Sequence, residues 1–238
     1  MLGTHLVKLA SHDRVLKKNL VASNEKFNDN ITLLHCLSKI KPASVINCIG
    51  YKGDDPVEHF RVNGCLPRVM ADWCEKHNAL FVHISTNAVF PASETRKWRP
   101  ADNIQPQSPY EISKAFGEDP RAYVVRASFI GRSSKKGNGL FNKLLSGEPY
   151  YDRKWNGVTA LALAKHLLGI AKRYGGSLTP FLEHIYSSKI TTFSEMARLL
   201  NSNSRCVEKT ADARLLGGGI ELPPMQEQLN KYCAFLKG

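Results

Sequence analysis

Short apolar or β-branched runs alternate with longer segments of helical period through most of this chain. Residues 43–50, 79–85, 122–128 and 181–187 are runs typical of buried strands. Residues 63–78, between the first two runs, carry large apolar side chains at helical spacing. Such alternation is typical of βαβ units, whose right-handed crossovers join parallel strands. It predicts an α/β protein with a doubly wound, mainly parallel sheet that is covered by helices on both faces.

The pattern changes after Gly131, where a basic loop without apolar period begins. Farther on, Thr159 is expected to cap one helix, and Thr192 with Glu195 forms a capping box that opens another. Loops are expected over residues 91–109, before this change, and over residues 217–224, and a last helix from about Met225.

These changes predict two parts. The first is a core over residues 1–130, and the second is a mixed C-terminal lobe over residues 131–238. Residues 156–175 are expected to pack back on the core, so the lobe itself draws on residues 131–155 and 178–238.

Composition narrows the class of protein. The 238 residues are 42% hydrophobic, which is enough for a sizeable core. Six cysteines without a C-x-x-C spacing are typical of thiols in a reducing compartment, and no metal-binding spacing is found. No apolar run is long enough to span a bilayer, and the N-terminus lacks the layout of a signal peptide. We therefore expect a cytoplasmic protein with no metal and no membrane partner.

The formal net charge of +12 has three explanations. It can reflect a solvated basic surface, attraction of small phosphorylated ligands, or binding to nucleic acid. The basic residues are scattered, and no aromatic ladder is interleaved with them as a single-strand binder would need. We expect no nucleic-acid partner.

Two stretches carry candidate chemistry: HISTNAVF at residues 83–90 and SPYEISKAFGE at residues 108–118. Tyr110 and Lys114 are four residues apart, so a helix would place them on one face. An ammonium beside a phenol favours the phenolate and lowers the phenol pKa, which suits proton transfer near neutral pH. Ser85 or Thr86, at the carboxyl end of a parallel strand, would lie where open α/β sheets bind ligands.

The chain resembles the extended short-chain dehydrogenase/reductase superfamily. Within it, the chain is most similar to the dTDP-4-dehydrorhamnose reductase-like (RmlD-like) sugar-nucleotide branch. The stretches that carry the resemblance follow in order along the chain: GTHLVKLA, KPASVINCIGY, RVN, HISTNAVF, SPYEISKAFGE, VVRASFIG, WNGVTALALAKHL and ELPPMQEQL. The resemblance implies a Rossmann-like sheet with a dinucleotide site in the core and a small C-terminal lobe on the substrate side.

The resemblance also implies roles for individual residues. Thr86, Tyr110 and Lys114 would be the catalytic hydroxyl, the acid and the pKa-lowering lysine. The cofactor would contact Gly3, Ile49, Gly50, Tyr51, Asn63, Ser85, Tyr110 and Lys114, and the sugar nucleotide would contact Thr86, Asn87, Ser128 and Phe129. For Ile49 and Gly50, packing at a strand end is an equal alternative, and for Asn63 a helix N-cap. Asn87 and Ala88 replace the aspartate and tyrosine of the family pattern, so contacts to the sugar are expected to differ.

By this resemblance the chain reduces a keto group on a nucleotide-activated sugar in deoxysugar or polysaccharide biosynthesis. The hydride donor would be NADPH or NADH. Arg14, Lys17 and Lys18, after the first helix, favour NADP slightly, although a solvated turn explains them slightly better. A homodimer is possible. The alternative from another class is a non-catalytic regulatory or scaffold protein that keeps the reductase-like fold.

The N-terminal residues MLG match only the last glycine of the family's Gly-rich loop, Gly3. The first strand and the two earlier glycines would precede Met1. That loop aims backbone N–H groups at the cofactor phosphates. On this basis we expect the 238-residue chain to bind NAD(P)H weakly or not at all.

Overall fold

The structure is a computed structural model that describes residues 2–12, 21, 29–133, 139–174 and 179–237. Arg14, Lys17 and Lys18 lie outside the described residues, as does most of the basic loop after Gly131.

Helices and short strands alternate along the described chain. The helices are α1 (Leu2–Ser11), α2 (Asn30–Ile40), α3 (Pro56–His59), a π-helix (Phe60–Cys65), α4 (Leu66–Lys76), a 3₁₀ turn (Asn87–Val89), α5 (Pro109–Phe116), α6 (Leu140–Ser146), α7 (Ala160–Tyr174), α8 (Phe193–Leu199) and α9 (Met225–Lys237). The strands are β1 (Ser44–Asn47), β2 (Leu80–Ser85), β3 (Ser93–Trp98), β4 (Tyr123–Ala127), β5 (Phe129–Ile130), β6 (Tyr150–Asp152), β7 (Lys154–Trp155), β8 (Val158–Thr159), β9 (Phe181–Ser187), β10 (Thr191–Thr192), β11 (Cys206–Lys209), β12 (Arg214–Leu216) and β13 (Ile220–Leu222).

A five-stranded parallel sheet forms the centre of the molecule, in the order β1–β2–β4–β9–β13. Every residue of β2 and β4 is buried, as expected for strands with helices on both faces. One face packs against α1 and α7 through residues such as Leu6, Val82 and Leu163. The other face packs against α2 and α4 through residues such as Leu37, Trp73 and Phe81. The predicted doubly wound α/β fold is confirmed.

The helix predicted to start near Asn63 begins earlier. It starts at Pro56 with α3, passes through the π-helix, and continues as α4 from Leu66. Pro67 lies four residues after Asn63 and has no N–H, so it cannot donate the α-helical hydrogen bond to the Asn63 carbonyl. Helix α5 approaches this carbonyl through Gly117, where an ideal Cβ would lie only 2.1 Å from the Asn63 oxygen. The proline and the glycine together let α5 lie close against the π-helix.

A second core cluster lies beside the sheet. It is built from buried side chains of residues 140–155, 193–200 and 225–236, among them Phe141, Met196 and Tyr232. The capping box of Thr192 with Glu195 opens α8 as predicted, and Thr159 accepts a hydrogen bond from the Ala162 N–H at the start of α7. The division of the chain at residue 130 stays a prediction. The structure adds that β9 and β13, from the range given to the lobe, belong to the central sheet.

Two strands lie where the sequence predicts only loops. Residues 91–109 contain β3, which pairs with β12, and residues 217–224 contain β13, which pairs with β9. Both are rich in polar residues, glycine or proline, and their pairing partners are distant in sequence. A local pattern carries little information on such short edge pairings.

Within the described ranges, no helix combines the length and apolar character needed to cross a bilayer. The same ranges contain no group of three or more His, Cys, Asp or Glu side chains arranged to hold a metal ion.

The contact at Gly117 gives a stability prediction. We expect Gly117→Ala to lower the free energy of unfolding by about 3 kcal/mol, the upper end for overpacking, because a backbone carbonyl must move to admit the Cβ. Gly169→Ala in α7 is the matched control, since an ideal Cβ there meets no atom within 4 Å. It should raise the free energy by up to about 1 kcal/mol through better helix propensity. Urea unfolding of both variants measures the contrast, and similar values for the two would contradict this description of the contact.

Candidate active site

Three neighbouring parallel strands end at one edge of the sheet. In the register of β1, β2 and β4, Asn47 lies opposite His83 and Ser85 opposite Arg126. The segments that follow these strands, residues 48–51, 86–87 and 128–129, therefore emerge at the same carboxyl edge. This edge is where open α/β sheets bind ligands, and it collects most of the site residues expected from the sequence.

Helix α5 presents Tyr110 and Lys114 at this edge. It begins with a complete capping box, in which Ser108 accepts from the Glu111 N–H and the Glu111 carboxylate accepts from the Ser108 N–H. This box makes Ser108 the N-cap, so the helix begins at the next residue, Pro109. Tyr110 is half-buried in the first turn, whereas Lys114, one turn on, is 6% exposed.

The Lys114 ammonium is buried, and no carboxylate among the described residues is directly bonded to it. Its Nζ donates to the Ile84 carbonyl oxygen at 2.6 Å, next to the end of β2. Burial lowers the pKa of Lys114 from 10.5 to about 8, with Glu118 opposing the shift and Lys52 adding to it. At neutral pH the side chain is therefore mostly charged, and its charge is held beside the end of β2.

Ser85 takes part in a buried charge network at the same edge. Its hydroxyl donates to Glu118 Oε1 at 2.5 Å, and Glu118 receives a two-pronged salt bridge from Arg126 with its shorter contact at 2.6 Å. Both charged side chains are largely buried, which is tolerated because each is paired and hydrogen-bonded. The Ser85 hydroxyl is thus committed to structure.

Thr86 follows directly and has a different environment. It is 8% exposed, and its Oγ1 caps the 3₁₀ turn by accepting from the Ala88 N–H at 3.1 Å. The hydroxyl hydrogen is not used by this bond, so Thr86 keeps a donor. Asn87 donates from its side chain to the Arg214 carbonyl at 2.7 Å, which ties this turn to β12.

The loop after β1 is held by one buried amide. Asn63 accepts from the Tyr51 N–H at 2.8 Å and donates to the Tyr51 carbonyl at 2.9 Å. It lies within 3.3 Å of both His59 Nδ1 and Ser113 Oγ. Asn63 therefore clamps the loop from inside the π-helix, and the helix N-cap alternative is wrong. The bonds to Ser113, which precedes Lys114, connect this loop to α5.

An aromatic cluster surrounds Tyr110. The His59 ring packs edge-on against Tyr110, with centroids 5.8 Å apart, and against Tyr51 at 5.0 Å. The exposed Lys52 ammonium lies 5.4 Å from the centroid of the Tyr110 ring. The Lys52 ammonium therefore lies near the ring of Tyr110.

The remaining expected residues lie near the ends of β1 and β4. Gly3, in the first turn of α1, places its ideal Cβ 3.8 Å from the Cys48 Cβ, so the start of α1 faces the end of β1. The Ile49 N–H donates to Asn47, and an ideal Cβ at Gly50 would lie 3.7 Å from Asn63 Oδ1. Ile49 and Gly50 thus form the turn that Asn63 clamps.

Ser128 and Phe129 continue from the end of β4. The Ser128 hydroxyl accepts from the Trp155 indole at 2.8 Å, and Phe129 pairs with Val158 in the short sheet of β5 and β8. Their direct partners belong to the C-terminal half of the chain, so they join the sheet edge to that half.

Sequence reasoning missed Lys52, His59 and Glu118 with its partner Arg126. Arg126 carried a signal, because it is a lone charge in an otherwise apolar strand and such charges need a buried partner. His59 and Lys52 carried none, since their proximity to Tyr110 depends on how the loop after β1 folds back.

Comparison with known proteins agrees with this geometry. A family model described as the RmlD substrate binding domain matches residues 1–148. The chain is 31% identical over 125 residues to a dTDP-4-dehydrorhamnose reductase of Mycobacterium tuberculosis, covering 45% of this chain and 41% of that protein. It is 27% identical over 142 residues to one of Streptomyces griseus, covering 55% and 47% respectively. The matches therefore span less than half the length of these curated relatives.

Solved structures extend the likeness over the whole chain. A dTDP-4-dehydrorhamnose reductase of Clostridium acetobutylicum superposes with a TM-score of 0.77 at 19% identity, covering 100% of this chain and 96% of that one. One of Bacillus anthracis in complex with NADP gives a TM-score of 0.72 at 17% identity, covering 92% and 87%. At this level of identity the structural likeness shows a shared fold.

The family model covers residues 1–148, which is more than half of the 238 residues. The chain therefore belongs to the family of the RmlD substrate binding domain.

Proposed function

We propose that this protein reduces a keto group on a nucleotide-activated sugar with NADPH or NADH, in the formation of a deoxysugar. The observation that carries the proposal is the buried Lys114 ammonium, held one helical turn from Tyr110 at the carboxyl edge of the sheet. Burial of a lysine without a bonded carboxylate is costly, and such groups cluster at functional sites. The named relatives are dTDP-4-dehydrorhamnose reductases, which supports the same substrate class.

In this proposal Tyr110 is the general acid. Its hydroxyl gives a proton to the ketone oxygen, and the Lys114 charge stabilises the phenolate that remains. Thr86 donates its free hydroxyl hydrogen to the same oxygen, because the Ser85 hydroxyl is bound to Glu118. Lys52, whose ammonium lies 5.4 Å from the centroid of the Tyr110 ring, adds positive charge to the site.

The residues fit a nicotinamide cofactor. An ammonium has three donors, and among the described residues Lys114 bonds only the Ile84 carbonyl, which leaves donors for the hydroxyls of a cofactor ribose. The clamped turn at Ile49, Gly50 and Tyr51 would lie along it, and Gly3, Asn63 and Ser85 would support that face. When bound, the nicotinamide supplies the hydride. Asn87, Ser128 and Phe129 are proposed to contact the sugar nucleotide.

The cytoplasmic location, the absence of a nucleic-acid partner and a homodimer stay predictions. The choice of NADP over NAD also stays a prediction, since Arg14, Lys17 and Lys18 lie outside the described residues.

The first functional prediction concerns the acid. Tyr110→Phe should lower kcat at least about 100-fold with NADPH and a dTDP-4-keto-6-deoxy sugar, since general acid catalysis contributes about 10²–10⁴. NADPH oxidation followed by absorbance measures it. Tyr151→Phe is the matched control, because Tyr151 is 57% exposed and lies on β6 away from the sheet edge, and it should leave kcat unchanged.

Equal turnover by wild type and Tyr110→Phe would remove the tyrosine from the mechanism. A wild-type protein that is folded and inactive with nucleotide-linked keto sugars would instead favour the non-catalytic regulatory role.

The second prediction concerns the Lys114 proton and follows from its lowered pKa. Between pH 8 and 10.5 Lys114 is protonated in the unfolded chain and deprotonated in the folded chain. This difference makes the free energy of unfolding increase as pH rises. Below pH 8 Lys114 is protonated in both the folded and the unfolded state, so the folded state bears the full free-energy cost of burying its charge. Relative to Lys114→Met, wild type should therefore become more stable between pH 7 and pH 10, by up to about 3 kcal/mol.

Urea unfolding of both proteins at pH 7, 8.5 and 10 tests this difference, in which the other lysines cancel. Lys39→Met, on the exposed side of α2, serves as the control and should show a difference that is independent of pH. A constant difference for Lys114→Met would mean that the pKa of Lys114 is not lowered.

A further inference from the structure

A groove lies away from the Tyr110 and Lys114 pair, on the face of the sheet that α7 covers. It has a volume of about 730 Å³ and lies between α7, α9, strand β9 and the edge strand β13. One end is formed by Tyr123 and Phe181, which begin β4 and β9, whereas the candidate active site lies where these strands end. A volume of this size is typical of sites for small organic ligands. No residue of the proposed reaction lines it.

The exposed charged side chains that line the groove are positive. Lys165 and Arg173 of α7 and Lys231 of α9 line it, all three are exposed, and none forms an ion pair with a carboxylate in the described part of the chain. Among the described lining residues only Glu183 has a carboxylate. It is 5% exposed and lies 2.5 Å from His166 Nε2, so its charge is already engaged. The groove is therefore complementary to an anion.

The end of the groove near Arg173 is aromatic. The Tyr123 ring lies 5.3 Å from that of Phe181 and 5.9 Å from that of Tyr174, measured between centroids. Phe181 is 54% exposed although its ring is apolar, and the Arg173 guanidinium lies 5.7 Å from the Tyr174 centroid. Such a cluster offers edges and faces to a planar aromatic group.

Gly169 keeps the groove open. It lies inside α7, where glycine destabilises a helix relative to alanine. In the described part of the chain no contact explains the choice, because an ideal Cβ at this position meets no atom within 4 Å. The missing side chain leaves space in the wall of the groove beside His166 and Ile170.

We propose that this groove is a second binding site, for a small aromatic organic anion whose ring packs at Phe181 and whose anionic group is held by Lys165 and Lys231. The site is separate from the reductase site and does not depend on that activity.

Calorimetric titration of the full chain with 1-naphthyl phosphate tests the site, because this probe joins one aromatic ring system to one phosphate. We expect saturable binding at one site per chain, with inorganic phosphate and 1-naphthol each at least about tenfold weaker, since each lacks one half of the recognised chemistry. Tyr110→Phe should bind the probe as wild type does. An absence of saturable binding to wild type would overturn the proposal, as would equally tight binding of 1-naphthol.

Two variants locate the binding. Gly169→Leu fills the groove without a clash at its Cβ and should abolish binding, with circular dichroism and thermal unfolding confirming that it is folded. Lys165→Gln with Lys231→Gln should weaken binding at least about tenfold. Lys39→Gln with Lys209→Gln removes the same charge from exposed positions outside the groove and should change affinity less than about twofold. Unchanged affinity in Gly169→Leu, or an equal loss in the two lysine pairs, would overturn the assignment to this groove.

Discussion

The close approach of α5 to the π-helix is the constraint on which the site depends. Gly117 lies so near the Asn63 carbonyl that a single Cβ would collide with it. This proximity brings Ser113 within reach of the Asn63 amide, and the same amide holds Tyr51 by both its backbone groups. One buried asparagine therefore connects the loop after β1 to the helix that carries Tyr110. A π-helix at this point agrees with the general finding that such turns occur where function requires irregular backbone.

The charged groups at the sheet edge separate into two kinds. Glu118 and Arg126 are buried as a bonded pair, which also occupies Ser85, so they stabilise the position of α5 against β2 and β4. The buried Lys114 ammonium is bonded to a backbone carbonyl, and its lowered pKa reflects the free-energy cost of burying its charge. A fold under selection for stability alone would not need an ammonium at this position. The pair of Glu118 and Arg126 therefore belongs to the scaffold of the site, whereas Lys114 is the group that is proposed to act in it.

The candidate active site and the groove use different parts of the same sheet. At the carboxyl edge, the segments that follow neighbouring strands converge. At the groove under α7, side chains of α7 and α9 supply the positive charge, and the sheet supplies the rings of Tyr123 and Phe181 together with Glu183. The basic character of the chain, +12 in total, is thus in part concentrated at a groove with a single engaged carboxylate. This placement favours attraction of small anions among the explanations that the composition left open.

The amino-acid sequence by itself determined the class of fold and the identity of the central elements. Fully buried strands such as β2 and β4 have an apolar pattern that local reading detects, and capping boxes at α5 and α8 are encoded within four residues. The tyrosine and lysine spacing was visible for the same reason, because it depends on one helical turn.

Only the tertiary structure decided which residues lie beside these strands, helices and site residues. The pairing of β3 with β12 and of β13 with β9, the clamp of Asn63 on Tyr51, and the engagement of Ser85 by Glu118 all join residues that are distant in sequence. Lys52 and His59 reach Tyr110 through a loop whose path is set by that clamp. Local propensity does not encode such contacts, because their free energy arises from burial and hydrogen bonding between elements that have already packed together.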